Sequence, residues 1–231
     1  MPLTVLDPHN ADQVFPPLHT ALRTPNGLLA IGGCLSKQRL INAYRHGIFP
    51  WYNPDEPMLW WSPDPRLVLF PDRLDVSRSL RKTLKKNRFS ITFDQAFSSV
   101  IVACAEPRQE ETGTWITHEV SDAYNELHRL GIAHSVEAWA DGELVGGLYG
   151  LALGQVFFGE SMFHTMTDAS KVAFVTLVEQ LKSWNFQLID CQVYTSHLAR
   201  FGAQEIDRAH FAVLLDQYCE RSVAESAWQT A

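Results

Sequence analysis

The stretch from His134 to Phe163 leaves a folding chain the fewest options. It reads as three apolar segments, His134 to Ala140, Leu144 to Leu153 and Gln155 to Phe163, broken by Asp141-Gly142 and by Gly154. Asp-Gly suits a two-residue hairpin turn, in which both central positions need positive φ. Strands joined by such short connections pair antiparallel, so the spacing predicts a three-stranded meander inside a sheet.

Helical patterns flank it. Helices are predicted from Ser77 to Lys86, from Asp94 to Ala105, and from Thr117 to Leu130, the last with Val120, Ala123, Tyr124, Leu127 and Leu130 as its apolar face before Gly131. After the meander come a helix from Asp168 to about Trp184, a buried strand from Gln187 to Val193, and an Asp207-capped helix carrying Phe211, Leu214, Leu215 and Tyr218.

The first 65 residues are different in kind, rich in Pro, Gly and aromatics. One helix stands out there, from Ser36 as N-cap through Leu40, Ala43 and Tyr44 to Gly47. The expected division is a small N-terminal domain, 1–65, and a larger domain, 66–231. At the junction, Trp60-Trp61-Ser62-Pro63-Asp64-Pro65-Arg66 reads as an ordered aromatic loop leading into a strand from Leu67 to Phe70, with Trp60 and Trp61 filling the core between the two domains.

The fold class is therefore α+β. Helices, a meander, a helix and another strand follow the order of the acetyltransferase (GNAT-type) fold, which takes acyl groups from coenzyme A, and the larger domain resembles it. One departure matters. In that fold a Gly-rich loop after the meander holds pyrophosphate on backbone amides at a helix N-terminus. Here the loop is Ser161-Met162-Phe163-His164-Thr165-Met166-Thr167-Asp168, without Gly and with an acidic residue at the cap. The fold analogy suggests acyl transfer, and the loop argues against coenzyme A as donor.

With 231 residues and 46% hydrophobic content the chain can bury one large core or two modest ones. No window approaches the roughly 18 apolar residues of a membrane span, and the N-terminus lacks a basic stretch followed by an apolar run. A soluble cytoplasmic protein is the expectation. Cys34, Cys104, Cys191 and Cys219 stand far apart, with no His at ligand spacing. Neither a zinc site nor a disulfide framework is expected, and all four read as small buried hydrophobes in a reducing compartment.

A net charge of −7 argues against a nucleic-acid partner on average, but the average hides a cluster. Arg73, Arg78, Arg81, Lys82, Lys85, Lys86 and Arg88 oppose only Asp72 and Asp75. On the helix after Ser77, the five cations Arg78, Arg81, Lys82, Lys85 and Lys86 fall within about 140° of arc, opposite Val76, Leu80 and Leu84. Charge runs are often only solvated faces. On an acidic chain this strip points to the phosphate backbone of a polyanion.

Candidate chemistry lies between Gln155 and Gln192. In the strand from Gln187 to Val193 side chains alternate, so Leu188, Asp190 and Gln192 share one face. Burying Asp190 and Gln192 without partners would cost roughly 1–3 kcal/mol each. A pair bonded to neighbouring backbone explains the pattern; so does a polar pair on a cleft floor that orients and deprotonates an incoming amine. Glu160 sits among bulky apolar groups beside Gly159, facing either a cleft or a cation such as Lys171. Gly159-x-Ser161 lacks the second Gly of a hydrolase nucleophile elbow, since Phe163 stands there. His134, His164 and His197 are possible bases. Trp51 and Trp115 lie in loop-like contexts where a ring can stack on a base or fill a core.

Eight segments in order resemble the leucyl/phenylalanyl-tRNA–protein transferases of bacteria: Pro25 to Ala30, Gly47 to Trp51, Trp60 to Arg66, Gly113 to Thr117, Gly159 to Phe163, Ala169-Ser170-Lys171, Leu188 to Val193, and Gly202-Ala203. The resemblance implies transfer of Leu, Phe or, less well, Met from aminoacyl-tRNA to the N-terminal Lys or Arg of a protein, which marks that protein for degradation. It assigns Asp190 and Gln192 to peptide-bond formation, and Glu160 to holding the terminal nucleoside and its aminoacyl ester. Trp51 and Trp115 would stack around the terminal adenine, and the basic strip would contact tRNA. An apolar pocket for the donor side chain would draw on Leu148, Met162, Phe174, Leu177 and Leu181, which read equally as ordinary core.

An aminoacyl ester is already activated, so attack by an amine needs no cofactor and no metal. An α-amino group with pKa about 8 is mostly protonated at pH 7, and a base that accepts its proton accelerates attack by roughly 10²–10⁴-fold. Asp190, acting through or beside Gln192, is the expected base of a monomeric enzyme that touches no membrane. A non-catalytic tRNA-binding module would not need Asp190 and Gln192 in a buried strand, and a small-molecule N-acyltransferase using coenzyme A would want the missing Gly-rich loop.

Overall fold

The computed structural model describes residues 3–106 and 114–229. Gly113 of the Gly113–Thr117 segment lies outside the described residues. The first strands are β1 (Thr4–Leu6), β2 (Leu28–Gly32), β3 (Phe49–Pro50) and β4 (Leu59–Trp61), with α1 (Lys37–Arg45) between β2 and β3. They form a four-stranded sheet in the order β1-β2-β4-β3. The rest follows as β5 (Arg66–Leu69), α2 (Arg78–Lys85), β6 (Ser90–Phe93), α3 (Phe97–Ala105), α4 (His118–Arg129), β7 (Ala133–Ala140), β8 (Glu143–Leu153), β9 (Val156–His164), α5 (Ala169–Ser183), β10 (Leu188–Gln192), α6 (Ser196–Ala199), β11 (Gln204–Ile206) and α7 (Arg208–Tyr218). Its sheet runs β11-β5-β10-β9-β8-β7-β6.

Strands β7, β8 and β9 are the meander, each antiparallel to the next. Asp141 at φ 50° and Gly142 at φ 81° supply the two positive values that the first turn requires. At the second turn, a Cβ on Gly154 would lie 2.3 Å from the Cys219 carbonyl oxygen, so only Gly fits against the end of α7. The order α3 and α4, meander, α5, β10 is that of the acetyltransferase-like unit, in a mixed α/β sheet.

Two layers of core lie on opposite faces of this sheet. Under α5 pack Val136, Leu148, Phe157, Leu177 and Leu181, each buried side chain contributing about 1.5–3 kcal/mol. On the other face a single cluster runs from Leu6, Tyr44 and Trp60 to Val100, Tyr124, Leu151 and Phe211, so the small sheet, α1, α3, α4 and α7 share one interior. Helix starts follow local chemistry: the hydroxyls of Ser36, Ser77 and Thr117 accept from the backbone N–H of Arg39, Leu80 and Val120.

Three expectations are corrected. Trp60-Trp61 is not loop but strand β4, paired with both β2 and β3; Trp60 is fully buried and donates from Nε1 to the Gly32 carbonyl at 2.8 Å. Helix α3 begins at Phe97 rather than Asp94, because Asp94 is left-handed at φ 57° and its carboxylate accepts from His134 Nδ1 (2.7 Å) and Ser135 N (2.8 Å). Asp207 precedes α7 without a side-chain cap bond.

Candidate active site

Strands β9 and β10 are parallel and paired at Val156–Leu188, Phe157–Ile189 and Phe158–Asp190, and there the pairing ends. Each strand is irregular just past that point. On β9, Gly159 opposes Gly150 and Ser161 opposes Tyr149, which leaves Glu160 as an extra residue. On β10, Asp190 opposes Val68 and Gln192 opposes Leu67, which leaves Cys191 as the extra one, and Gln192 takes a left-handed φ of 63°. Two bulges at one level thus open the sheet and re-aim Glu160 and Gln192 toward each other.

The Glu160 carboxylate is the hub. Its Oε1 accepts from Tyr44 Oη at 2.7 Å and from Gln192 Nε2 at 2.8 Å, and its Oε2 accepts from Tyr124 Oη at 3.3 Å. The two hydroxyls also touch each other. Tyr44 comes from α1 and Tyr124 from α4, both with no solvent exposure, so the small sheet's helix completes the site. Burial pushes the Glu160 pKa up to about 8, aided by the negative charge of Asp190; the hydrogen bonds from Tyr44, Tyr124 and Gln192 pull the other way without winning. Burial, and then the charge of Glu160, likewise raises Tyr44 and Tyr124 well above the usual phenol range. Gln192 is only partly buried, and its amide donates to Glu160 through Nε2.

Asp190 lies deeper. It is fully buried, and Arg66 holds both its oxygens, Nε to Oδ1 at 2.8 Å and Nη2 to Oδ2 at 2.6 Å. Arg66 also donates to the Gly47 carbonyl and lies between the rings of Phe49 and Phe211, 4.7 and 4.8 Å from their centroids. Asp190 Oδ1 accepts the backbone N–H of Gln192 at 2.9 Å. Fully buried, with both oxygens on Arg66 and Oδ1 also on the Gln192 N–H, Asp190 stands behind Gln192 and holds its turn.

Lys171 does not pair with Glu160; it binds Asp168 at 2.7 Å. His134 is tied to Asp94, away from the hub. Trp51 is 46% exposed and packs against Trp61, whose Nε1 donates to the Trp51 carbonyl. Trp115 is partly buried on the shared core. Next to these two, Tyr52 lies within reach of the Glu119 charge, so the chain after β3 and the start of α4 meet. Leu148, Phe174, Leu177 and Leu181 are closed core under α5, while Met162 is only partly buried, so of the five proposed pocket residues one borders open space. Arg78, Arg81, Lys82, Lys85 and Lys86 are all exposed on α2, and none is in an ion pair among the described residues. Cys104 and Cys219 are buried as expected, whereas Cys34 and Cys191 are partly exposed.

Tyr44, Tyr124 and Arg66 escape sequence reasoning as site residues. The two tyrosines read as apolar helix positions; a polar tip on a core-facing ring is the signal that could have flagged them. For Arg66 the signal is Asp190 itself, since a buried carboxylate requires a cation somewhere.

Residues 68–216 match the family model described as leucyl/phenylalanyl-tRNA protein transferase, and residues 33–64 match the model of its N-terminal domain. Among curated relatives, the leucyl/phenylalanyl-tRNA–protein transferase of Methylococcus capsulatus is 56% identical, covering 99% of this chain and 97% of its own. Those of Stutzerimonas stutzeri and Azotobacter vinelandii are 62% and 63% identical, covering 92% and 86% of this chain and 94% and 88% of theirs. A solved GCN5-related N-acetyltransferase from Kribbella flavida aligns with a TM-score of 0.38 at 12% identity, over 71% of this chain and 58% of that one.

Proposed function

The chain belongs to the leucyl/phenylalanyl-tRNA–protein transferase family and is an aminoacyltransferase, and we propose that it moves Leu or Phe, and less well Met, from aminoacyl-tRNA to the N-terminal Lys or Arg of an acceptor protein. The product is then marked for degradation, and the reaction takes place in the cytoplasm on a monomer. The observation that supports this reading best is the Glu160–Gln192 contact across the opened strands.

The acceptor's α-amino group approaches the opening, and the Gln192 amide oxygen accepts one of its N–H bonds. As the amine nitrogen bonds to the ester carbonyl carbon, it must lose a proton. Ionised Glu160 takes that proton and returns it to the 3′ oxygen of the terminal ribose as the ester C–O bond breaks. Protons and bonds balance: one amide and one ribose hydroxyl replace one amine and one ester. With Glu160 near 8 and an α-amino group near the same value, neither transfer is steeply uphill. Asp190 and Arg66 act as positioning residues that hold the Gln192 turn.

Trp51 and Trp115 would hold the terminal adenine, Met162 would border the donor side chain, and the α2 strip would carry the tRNA body. A division of the chain near residue 65 then runs through the site, with Tyr44 and Trp51 contributed by the smaller part. The experiment is transfer of radiolabelled Phe from Phe-tRNA to a peptide beginning with Lys or Arg, where label in the peptide is expected. An unlabelled peptide under conditions where Phe-tRNA stays intact sinks the proposal.

A further inference from the structure

Helix α1 starts over a buried cation that has no carboxylate. Arg39 has no solvent exposure, and its guanidinium is held by carbonyls alone: Nη1 donates to Gln13 at 3.3 Å and Nη2 to Asn10, with the centroid of the Phe15 ring 5.6 Å away. Among the described residues no acid pairs with it, and its Nε is buried without a hydrogen-bond partner. A guanidinium so deep is ordinarily matched by an opposite charge, because stranding one is costly.

The orphaned Nε lies beside the turn that leads into the helix. Gly32 and Gly33 close β2 with φ of 77° and 84°, and a Cβ on Gly33 would lie 3.4 Å from Arg39 Nε. The next residue is Cys34. Its thiol is within hydrogen-bond reach of Arg39 and of Ser36, the N-cap whose hydroxyl accepts the Arg39 backbone N–H at 3.3 Å. Burial raises the Cys34 pKa, but the Ser36 N–H and hydroxyl, and then the guanidinium by hydrogen bond and by charge, lower it by more, so the net shift is downward. Other charges nearby in the chain stand in solvent: Lys37, Asp12 and Asp7 are exposed, and Asp7 Oδ1 accepts the His9 N–H at 2.8 Å. Cys34 itself is partly exposed, within reach of a small solute.

We infer that Cys34 is held as a thiolate that completes Arg39, and that this thiolate is a modification site for small two-electron oxidants such as hydrogen peroxide. The sulfur attacks one peroxide oxygen, the O–O bond breaks, and hydroxide leaves to take a proton from solvent. Sulfur loses two electrons, peroxide gains them, and a sulfenic acid remains. The other cysteines lack these conditions: Cys104 and Cys219 are buried, and burial and then the charge of Asp190 push the Cys191 thiol up. Nothing here depends on the transferase reading, since Cys34 makes none of the hydrogen bonds of the Glu160 hub.

Two measurements test the site on the wild-type chain. Peroxide at pH 7 followed by dimedone, read by peptide mass spectrometry, is expected to place about tenfold more adduct on Cys34 than on Cys191. Iodoacetamide labelling of Cys34 is expected to reach half its plateau below the ordinary thiol value of about 8.5, and Arg39→Met to slow labelling at pH 7 by about tenfold. A third measurement does not require that variant to fold. Cys34→Asp gives the guanidinium a carboxylate and is expected to unfold at or above the wild-type midpoint, whereas Cys34→Ala leaves the cation unmatched and should unfold roughly 2–10 °C lower. Adduct spread equally over Cys34 and Cys191, a labelling profile centred at about 8.5 or higher, or a Cys34→Asp chain no more stable than Cys34→Ala each overturns the inference.

Discussion

Arg66 and Asp190 meet through two parallel hydrogen bonds of 2.8 and 2.6 Å with neither side chain exposed, and the same carboxylate holds the backbone of Gln192. Removing one partner of a buried ion pair strands the other charge at a cost of about 3–5 kcal/mol. Asp190→Asn is therefore expected to lower the thermal midpoint by roughly 6–20 °C for a chain of this size. The double variant Arg66→Met/Asp190→Leu should recover more than half of that loss, because no charge is left unpaired, while kcat stays low because Gln192 has lost its anchor. Differential scanning calorimetry and single-turnover transfer check the two halves; full recovery of kcat in the double variant removes Asp190 from positioning.

Glu160 links the site to pH through both stability and rate. Its folded pKa of about 8 lies above its ordinary 4.5, so the folded chain keeps a proton that the unfolded chain has released between those values. The associated stability is complete below about pH 4.5 and is lost as pH rises through about 8, by at most about 1.4 kcal/mol per pH unit. Urea midpoints across this range should fall less steeply in Glu160→Gln than in wild type. The same variant keeps the shape but cannot shuttle the proton, so kcat should drop roughly 10²-fold or more. Parallel urea profiles with unchanged kcat would assign Glu160 a merely structural place.

How much of this was legible depends on the distance over which each feature is specified. The meander is local, written in Asp141-Gly142, Gly154 and the apolar runs between them, and helix starts at Ser36, Ser77 and Thr117 are equally local. Alternation predicts one face for Asp190 and Gln192, but the bulge at Cys191 and the positive φ of Gln192 break it, so that Asp190 opposes Val68 and Gln192 opposes its neighbour Leu67; no local pattern announces that break. Strands β1, β3 and β4 span only two or three residues, too short to show a period, and exist because neighbours pair with them. The Arg66–Asp190 pair joins residues 124 apart, and the Tyr44–Glu160 bond residues 116 apart; no local pattern encodes such a meeting. A buried carboxylate implies a partner, but not which one.

The α2 strip offers a separate, purely electrostatic test. Lys82 and Lys85 are exposed, and neither is in an ion pair among the described residues, so reversing them disturbs no packed contact. The double variant Lys82→Glu/Lys85→Glu is expected to raise KM for Phe-tRNA, to leave its KM for phenylalanyl-adenosine near wild type, and to flatten the dependence of log KM on log salt, each lost phosphate contact reducing the slope by roughly 0.7–0.9. Steady-state kinetics between low and moderate salt decide it. An unaltered KM for Phe-tRNA at low salt would take α2 out of the tRNA surface.

The bulge that projects Glu160 depends on Gly150, its near neighbour on β8. A Cβ at Gly150 would stand 2.2 Å from the Phe158 carbonyl oxygen and 2.6 Å from the Phe157 ring, and neither can yield: one is backbone and the other is core under α5. Gly150→Ala must therefore push β9 away or slip its register, at a cost of about 1–3 kcal/mol in an overpacked core. A slip by one residue would put Glu160 into the β8–β9 ladder and turn its carboxylate from Tyr44 and Gln192. Lost stability together with a fall in kcat far larger than the fall seen in Gly142→Ala, where a φ of 81° strains the turn but no atom beyond the chain neighbours lies within 4 Å of the added Cβ, is the expected pattern. Equal, small changes in kcat at both glycines would mean that Glu160 is aimed by something other than the bulge. That comparison isolates strand geometry from chemistry, because neither glycine carries a functional group of its own.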